Sequence, residues 1–387
     1  MPGQSIKIVR DLKPKLSRSA DKIWAGTLRD WMFARLSRRN CSLSTETSVE
    51  ALATHIEEIR LRDHEILSRE QPGIEEYYAY LTSPKTTPVD RKVGVSILTD
   101  GRVSYPTGVL CGREGIPMDA YPNHSALKNP KYALSQLAQP MMPAKSHHKS
   151  GFVLYVAWAH NFFHWVVDVL TRLTFLEAVP KDVPIVMYTG APAFARKSLE
   201  LLDLDREILW LGNGVHCFDE LYVPSNLATP ALVADSALSF LRGPWRDALR
   251  RHETQSLTLG LRLYISRKDA PTRRIANEDD VIRLLEGFGF QTITMSEHSL
   301  ADQAALFANA ECVVGAHGAA FINLAYCEPG ARILEIFRRG FTSRSFYSVA
   351  EKRGLPYGLM LTDADSQGDQ IVDLVVLRDL IDKLLAT

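Results

Sequence analysis

Glu311 to Phe337 reads ECVVGAHGAAFINLAYCEPGARILEIF. A short apolar run at 312–314 is strand-like, a glycine-framed loop surrounds His317, and a helix follows. Pro329-Gly330 then turns the chain into a second apolar run at 333–337. A strand, loop and helix unit of this kind sets backbone N–H groups and the positive end of a helix at the carboxyl edge of a parallel sheet, where an anion is stabilised. Gly315 and Gly318 allow a tight turn and a close backbone approach, and His317 between them can offer a hydrogen bond or a positive charge. The stretch predicts an α/β fold and a phosphate-bearing ligand. In isolation the same glycines read as turn residues and His317 as a structurally satisfied imidazole, so its neighbours decide.

Upstream, strands at 261–266 and 292–295 alternate with helices at 278–288 and 300–309, the helices capped by Asn277 and Ser299. Downstream come a helix at 345–353, a strand at 357–361 and an amphipathic helix at 371–385. An earlier series has strands at 152–157, 183–187, 208–211 and 221–223, with helices at 161–178 and 193–202 between them. Such alternation indicates largely parallel sheets with crossover helices. A helix at 235–252 broken by Gly243-Pro244 suits a bend between two domains. From Lys92 the period is that of β-structure, and Asp100-Gly101 predicts the turn of a hairpin. Residues 117–143 read as an extended connection and His147-His148 as an exposed loop. The expected organisation is a helical extension at 1–90, a first Rossmann-like domain at 91–245 and a second at 246–387.

The 387 residues exceed one ordinary core, and 46% apolar with 23% charged residues is the balance of a globular protein. Lys plus Arg equals Asp plus Glu at 45 each, so no global field selects nucleic acid as a partner. Positive charge is concentrated at residues 1–40, interleaved with Trp24, Trp31 and Phe33. That pattern fits a helix on an anionic membrane surface or one packed on its own domain. The charged stretch at 46–69 reads as a helix with a solvated face. Five widely spaced cysteines without a Cys-x-x-Cys pair, and an N-terminus without an apolar leader, lead to the expectation of a cytoplasmic protein, with peripheral contact at the inner membrane face through residues 1–40 as the membrane reading. The apolar run at 153–170 is interrupted by His160, Asn161, His164 and Asp168, which a membrane span would not tolerate.

Asn161, His164, Asp168 and Arg172 are spaced three, four and four, forming one polar seam on an otherwise apolar helix. A buried His and Asp must be paired or line a cleft. Three roles are open: an anchoring network, a general base (Asp168 or His164) for an acceptor hydroxyl, or a metal site of His160, His164 and Asp168. Arg267-Lys268 ends a strand and Arg273-Arg274 follows it, cations that suit a diphosphate. Glu335 at a strand end can accept from a ribose or sugar hydroxyl or be a paired buried carboxylate. No Gly-x-Gly-x-x-Gly follows a strand and no Walker lysine is present, which disfavours dehydrogenases and nucleotide hydrolases.

In chain order, Asn161-Phe162-Phe163-His164-Trp165 with Asp168, Tyr264-Ile265-Ser266-Arg267, Arg273-Arg274 with Asn277-Glu278, Gln303, Gly315-Ala316-His317-Gly318-Ala319, Asn323-Leu324 and Glu335 resemble family 61 glycosyltransferases. The likeness runs from Lys92 to Phe337 and points to the bacterial-type members that build capsular and surface polysaccharides. It implies a GT-B fold, two Rossmann-like domains facing a cleft, and inverting transfer from a nucleotide sugar without a metal or other cofactor. A UDP-sugar is the expected donor and a glycan or lipid-linked glycan the acceptor. On this resemblance Asp168 and His164 are catalytic, and Arg267, Arg273, Asn277, Glu278, His317, Gly318, Ala319, Asn323 and Glu335 serve the donor. The loop departs from the family's frequent Gly-Ala-Gly-Leu after the histidine, since Ala319-Ala320-Phe321 follows Gly318. A non-catalytic nucleotide-sugar-binding scaffold and a metallohydrolase using His160, His164 and Asp168 are the alternatives.

Overall fold

The computed structural model describes Ile74, Glu75, Tyr77 and residues 94–112, 142–156, 158–229, 232–253, 260–341 and 343–386. The helices expected over 1–45 and 46–69, and nearly all of the expected connection at 117–143, lie outside the described residues.

The fold is mixed α/β with two six-stranded sheets rich in parallel pairs. The first contains β1 (Val95–Tyr105), β2 (Val109–Cys111), β3 (Ala144–Val153), β4 (Ile185–Tyr188), β5 (Ile208–Leu211) and β6 (Gly214–Pro224), in the order β2-β1-β6-β3-β4-β5. Strands β6, β3, β4 and β5 run parallel, while β1 is antiparallel to β6 and β2 to β1. A small antiparallel pair, β7 (Ala228–Thr229) and β8 (Leu232–Val233), follows.

The second sheet contains β9 (Leu261–Ser266), β10 (Phe290–Thr294), β11 (Ala310–Ala316), β12 (Arg332–Arg338), β13 (Tyr357–Ala364) and β14 (Gln370–Ile371), in the order β10-β9-β11-β12-β13-β14. All its pairs are parallel except β13 with β14. The order reverses between β9 and β11, so a crevice opens at their carboxyl ends, where doubly wound sheets bind ligands. The loop after β11 is the glycine-framed loop around His317.

Helices α1 (162–178), α2 (Ala193–Leu202) and α3 (235–250) accompany the first sheet, and α4 (Glu278–Glu286), α5 (Leu300–Ala308), α6 (Ala319–Tyr326, 3₁₀), α7 (Ser345–Arg353) and α8 (Leu374–Ala386) the second. Ser299 caps α5 as its position predicts, its hydroxyl accepting the N–H of Asp302 at 3.1 Å. The hydrogen-bonding pattern of α1 changes twice: Phe162–His164 is α-helical, Trp165–Val169 is a wide π turn and Leu170–Ala178 is 3₁₀. In the wide turn Leu170 N–H reaches the carbonyl of Trp165, and the carbonyls of Val167 and Asp168 accept from Thr171 Oγ1 and Arg172 Nε, both at 2.6 Å. Helix α3 bends at Gly243, whose φ and ψ are −94° and −108°, before Pro244.

Two sequence expectations are corrected. Asp100-Gly101 does not turn a hairpin: β1 continues through both, Asp100 taking φ 48°, because β6 offers an antiparallel partner along its whole length. A Cβ at Gly101 would lie 2.3 Å from Leu221 Cβ, so packing rather than turning calls for glycine. The hairpin reverses instead at 106–108, where Gly108 has φ 66°. His147 and His148 are in β3, not in a loop, paired with Cys217 and Phe218 of β6. His148 stacks on Phe218 with ring centroids 5.1 Å apart, and burial, then His216 and His147, hold its pKa below the ordinary histidine value.

One large apolar cluster runs through both halves of the molecule, from Val153, Trp165 and Leu173 to Ile265, Phe321 and Phe346. A second, smaller cluster lies on the other face of the second sheet, under α4 and α8. Gly151 is a sensitive point of the first sheet, since a Cβ there would lie 2.5 Å from Val186 Cγ2 and 2.6 Å from the Phe218 ring. Overpacking of this kind should make Gly151→Ala about 1–3 kcal/mol less stable in urea unfolding; a midpoint equal to that of the wild type would show that the sheet yields at no cost.

Candidate active site

His164 and Asp168 are one turn apart on α1 and meet through Nδ1 and Oδ2 at 2.5 Å. Asn161, as N-cap, accepts the N–H groups of Phe163 and His164 and fixes the start of the helix. The Asp168 side chain is 4% exposed and the His164 side chain 29%, so the carboxylate lies behind the imidazole and the imidazole faces out. Trp158, at φ 72°, brings its indole to 6.2 Å from the His164 ring. His160 is exposed and precedes the helix, and among the described residues no group of three or more His, Cys, Asp or Glu is placed to hold a metal ion.

A second histidine–carboxylate pair stands on the other sheet. His317 follows β11, and its Nδ1 bonds to Glu335 Oε1, while Tyr357 donates its hydroxyl to Glu335 Oε2. Glu335 has no exposed surface, so it addresses the imidazole and the phenol rather than a sugar or ribose hydroxyl. Three phenylalanines surround the His317 ring: Phe337, Phe341 and Phe346, with centroids at 5.2, 5.2 and 5.0 Å. With Nδ1 engaged and the ring orientation set, Nε2 is the atom left to meet a ligand.

The two histidines are joined by aromatic contacts. Phe163, beside His164, packs edge-on against Phe346 at 5.5 Å, and Phe346 packs on His317. They therefore flank the same junction between the two sheets. Next to it lies a cavity of about 850 Å³, lined by Phe162, Phe194 and Lys197 from the first half and by Arg267, Gly318 and Gln303 from the second.

Arg267 and Arg273 supply the positive charge. Burial, then repulsion from Arg273, pushes the Arg267 guanidinium down to about 10, with Asp269 and Glu278 acting the other way. Burial lowers Arg273 too, partly offset by Glu335 and reinforced by Arg338. Arg267 Nη2 donates to Thr272 O at 2.9 Å and its Nε has no partner among the described residues. Arg273, at φ 58°, lays its guanidinium 5.3 Å from the centroid of the Phe341 ring. Two half-buried cations, one raised in energy by the other, are stabilised by a bound anion. Gly318 lies against Arg267: a Cβ there would fall 1.9 Å from Arg267 Nη1. Ala319 and Ala320 open α6 and line the cavity, presenting the first N–H groups of a helix.

The remaining sequence-derived candidates stand behind this surface. Glu278 is buried and accepts from Tyr264 Oη at 2.8 Å and from the N–H of Arg267 at 3.3 Å, thereby holding the arginine's backbone. Burial, then Glu278, raises the Tyr264 hydroxyl, which keeps it a donor. Asn277 occupies the N-cap position of α4 but makes no capping bond, its amide instead pairing with the N–H and C=O of Val372. Asn323 is buried and donates to Ala320 O and Gln303 Oε1, so it orients the glutamine rather than reaching the cavity. All three spend polar atoms on protein partners, as side chains withdrawn from water must: Glu278 on Tyr264 and Arg267, Asn323 on Ala320 and Gln303, and Asn277 on Val372. Phe341, Phe346 and Tyr357 were not singled out from the sequence. The Phe341 aromatic after Arg338-Arg339-Gly340 was the available signal, a ring and a turn directly following a strand that ends in cations.

Residues 162–334 match the model of the family Glycosyltransferase 61. A domain of this family indicates a glycosyltransferase, which acts on a sugar donor and an acceptor. No curated protein matches the chain. No helix among the described residues is long and apolar enough to cross a membrane.

Removal of the Glu335 carboxylate leaves His317 Nδ1 and the Tyr357 hydroxyl without their acceptor in a dry environment. Glu335→Ala should therefore cost about 1–3 kcal/mol for each donor stranded. Equilibrium urea unfolding measures it, and a loss under 0.5 kcal/mol would mean that water reaches the pair.

Proposed function

We propose that this protein is an inverting glycosyltransferase that uses no metal ion, moving a sugar from a nucleotide sugar, a UDP-sugar by preference, to a hydroxyl of a glycan or lipid-linked glycan. The observation that carries the proposal is the meeting of two unlike surfaces at one junction: a histidine–carboxylate pair on α1 of the first half and a cationic, glycine-lined crevice at the β9/β11 reversal of the second. In the terms of the resemblance this is a GT-B arrangement, with domains 91–245 and 246–387. The diphosphate sits against Arg267, Arg273, His317 and the N–H groups after Gly318, where negative charge grows as the leaving group departs.

His164 is the proton acceptor. It carries the exposed edge, and Asp168 behind it holds Nδ1–H and stabilises the imidazolium that forms, leaving Nε2 for the acceptor hydroxyl. The hydroxyl oxygen then bonds to the anomeric carbon as the bond to the diphosphate breaks, and the configuration inverts. The proton ends on His164 and the nucleoside diphosphate leaves. Capsular or surface polysaccharide synthesis at the cytoplasmic face, with residues 1–40 against the membrane, is the setting that this chemistry and the basic N-terminus support.

Thermal-shift screening against nucleotides and nucleotide sugars identifies the donor, which raises Tm through mass action. Asp168→Asn should retain donor binding and lower kcat by about 100- to 10,000-fold; full transfer activity in this variant removes the pair from the mechanism. Gly318→Ala acts on the other side of the junction. Its Cβ displaces the Arg267 guanidinium, so the Kd for UDP should rise about 10- to 100-fold, the scale of a lost charged hydrogen bond, with Tm unchanged. Equal UDP affinities in calorimetry would show that Arg267 does not bind the diphosphate.

A further inference from the structure

Tyr77 lies 85 positions before the matched span, in a stretch to which the sequence assigns no chemistry. Its hydroxyl accepts the backbone N–H of Gly340 at 2.6 Å, across 263 positions of chain. Ile74, Glu75 and Tyr77 are helical, and Ile74 is completely buried in the large cluster that also holds Ile265, Phe321 and Phe346. This piece of the chain is thus packed into the body of the molecule, with Tyr77 partly buried against the same cluster.

The residue it grips is well chosen. Gly340 turns the chain after β12 at φ 79°, and the N–H of Phe341 closes the turn on Arg338 O at 3.1 Å. The next ring, Phe341, packs 5.2 Å from His317 and carries the Arg273 guanidinium on its face at 5.3 Å. Arg273 is itself in the left-handed region at φ 58° and feels the like charge of Arg338, so its place depends on packing from outside its own loop. One hydrogen bond accepted by Tyr77 therefore bears on the ring that packs on both Arg273 and His317.

We infer that Tyr77 is a positioning residue of the donor site, holding the 339–341 turn so that Phe341 sets Arg273 and His317 against the donor diphosphate. The segment of Ile74, Glu75 and Tyr77 is then a working part of the enzyme and not an appendage to it. This inference rests on the donor reading proposed above.

The test uses the full chain and two probes, inorganic pyrophosphate and UDP, in calorimetry. Tyr77→Phe keeps the ring and deletes only the hydroxyl. It should weaken both probes about 3- to 10-fold, the range of one lost hydrogen bond, and raise the donor KM with kcat nearly unchanged, while Tm stays at the wild-type value. A purely structural role would move Tm and leave the affinities alone. On a Phe341→Leu background the same substitution should add almost nothing, because the two act through one contact. Wild-type affinity in Tyr77→Phe, or additive losses in the double variant, overturns the inference. If the wild type binds neither probe, the donor reading fails first, and the wild-type arm alone shows it.

Discussion

The two sheets are tied together by a single continuous apolar body, and every distance across the junction depends on it. Side chains from α1, the inner face of the second sheet, α6 and α7 belong to the same cluster, and the bent α3 adds Leu241, Trp245 and Leu249 to it. Phe163 and Phe346 belong to the shared body and also link His164 to His317 through ring contacts. Hydrophobic burial, which has no direction of its own, is here converted into a fixed separation between two polar groups.

On that frame the site repeats one device. A histidine has a buried carboxylate beneath it, His164 over Asp168 and His317 over Glu335. Glu278 does the same for an arginine through its backbone N–H. Burying a carboxylate is unfavourable unless it accepts hydrogen bonds, and each of these does: Asp168 through Oδ2 from His164, Glu335 through both oxygens from His317 and Tyr357, and Glu278 through Oε1 from Tyr264 and Arg267. The desolvation cost is repaid in orientation, since a ring bonded at Nδ1 has only one direction in which to offer Nε2. Arg267 and Arg273 differ in kind. They have no ion-pair partner within 4.0 Å among the described residues and repel each other, which leaves that side of the crevice under-compensated.

Much of this was legible in the amino-acid sequence because local period carries element type. The second half was read nearly residue by residue, with 261–266, 300–309 and 345–353 falling where β9, α5 and α7 lie, and the seam of His164 and Asp168 visible from spacing alone. What failed to show was set by partners distant in the chain. Asp100-Gly101 has the residues of a turn, but β6 keeps the strand paired through them; His147-His148 reads as an exposed loop, and His147 is exposed, but β6 draws both into a ladder. Asn277 is a natural cap whose amide is claimed instead by Val372, 95 residues on. Glu335 and Asn323 were identified as site residues, but which of their faces meets the ligand depends on Tyr357 and Gln303, and no pattern in the sequence joins those pairs.

The wide turn in α1 has a consequence for how this helix can change. A π turn is an α-helix carrying one residue more than its winding needs, and each residue of an α-helix advances it by about 100°. The surplus residue is taken up within the turn itself, so the helix could lose one position there and still set His164 at the junction and Leu170 and Leu173 in the core. What it would give up is one of five buried side chains, Asp168 among them. The length of this stretch is thus more forgiving than its lettering.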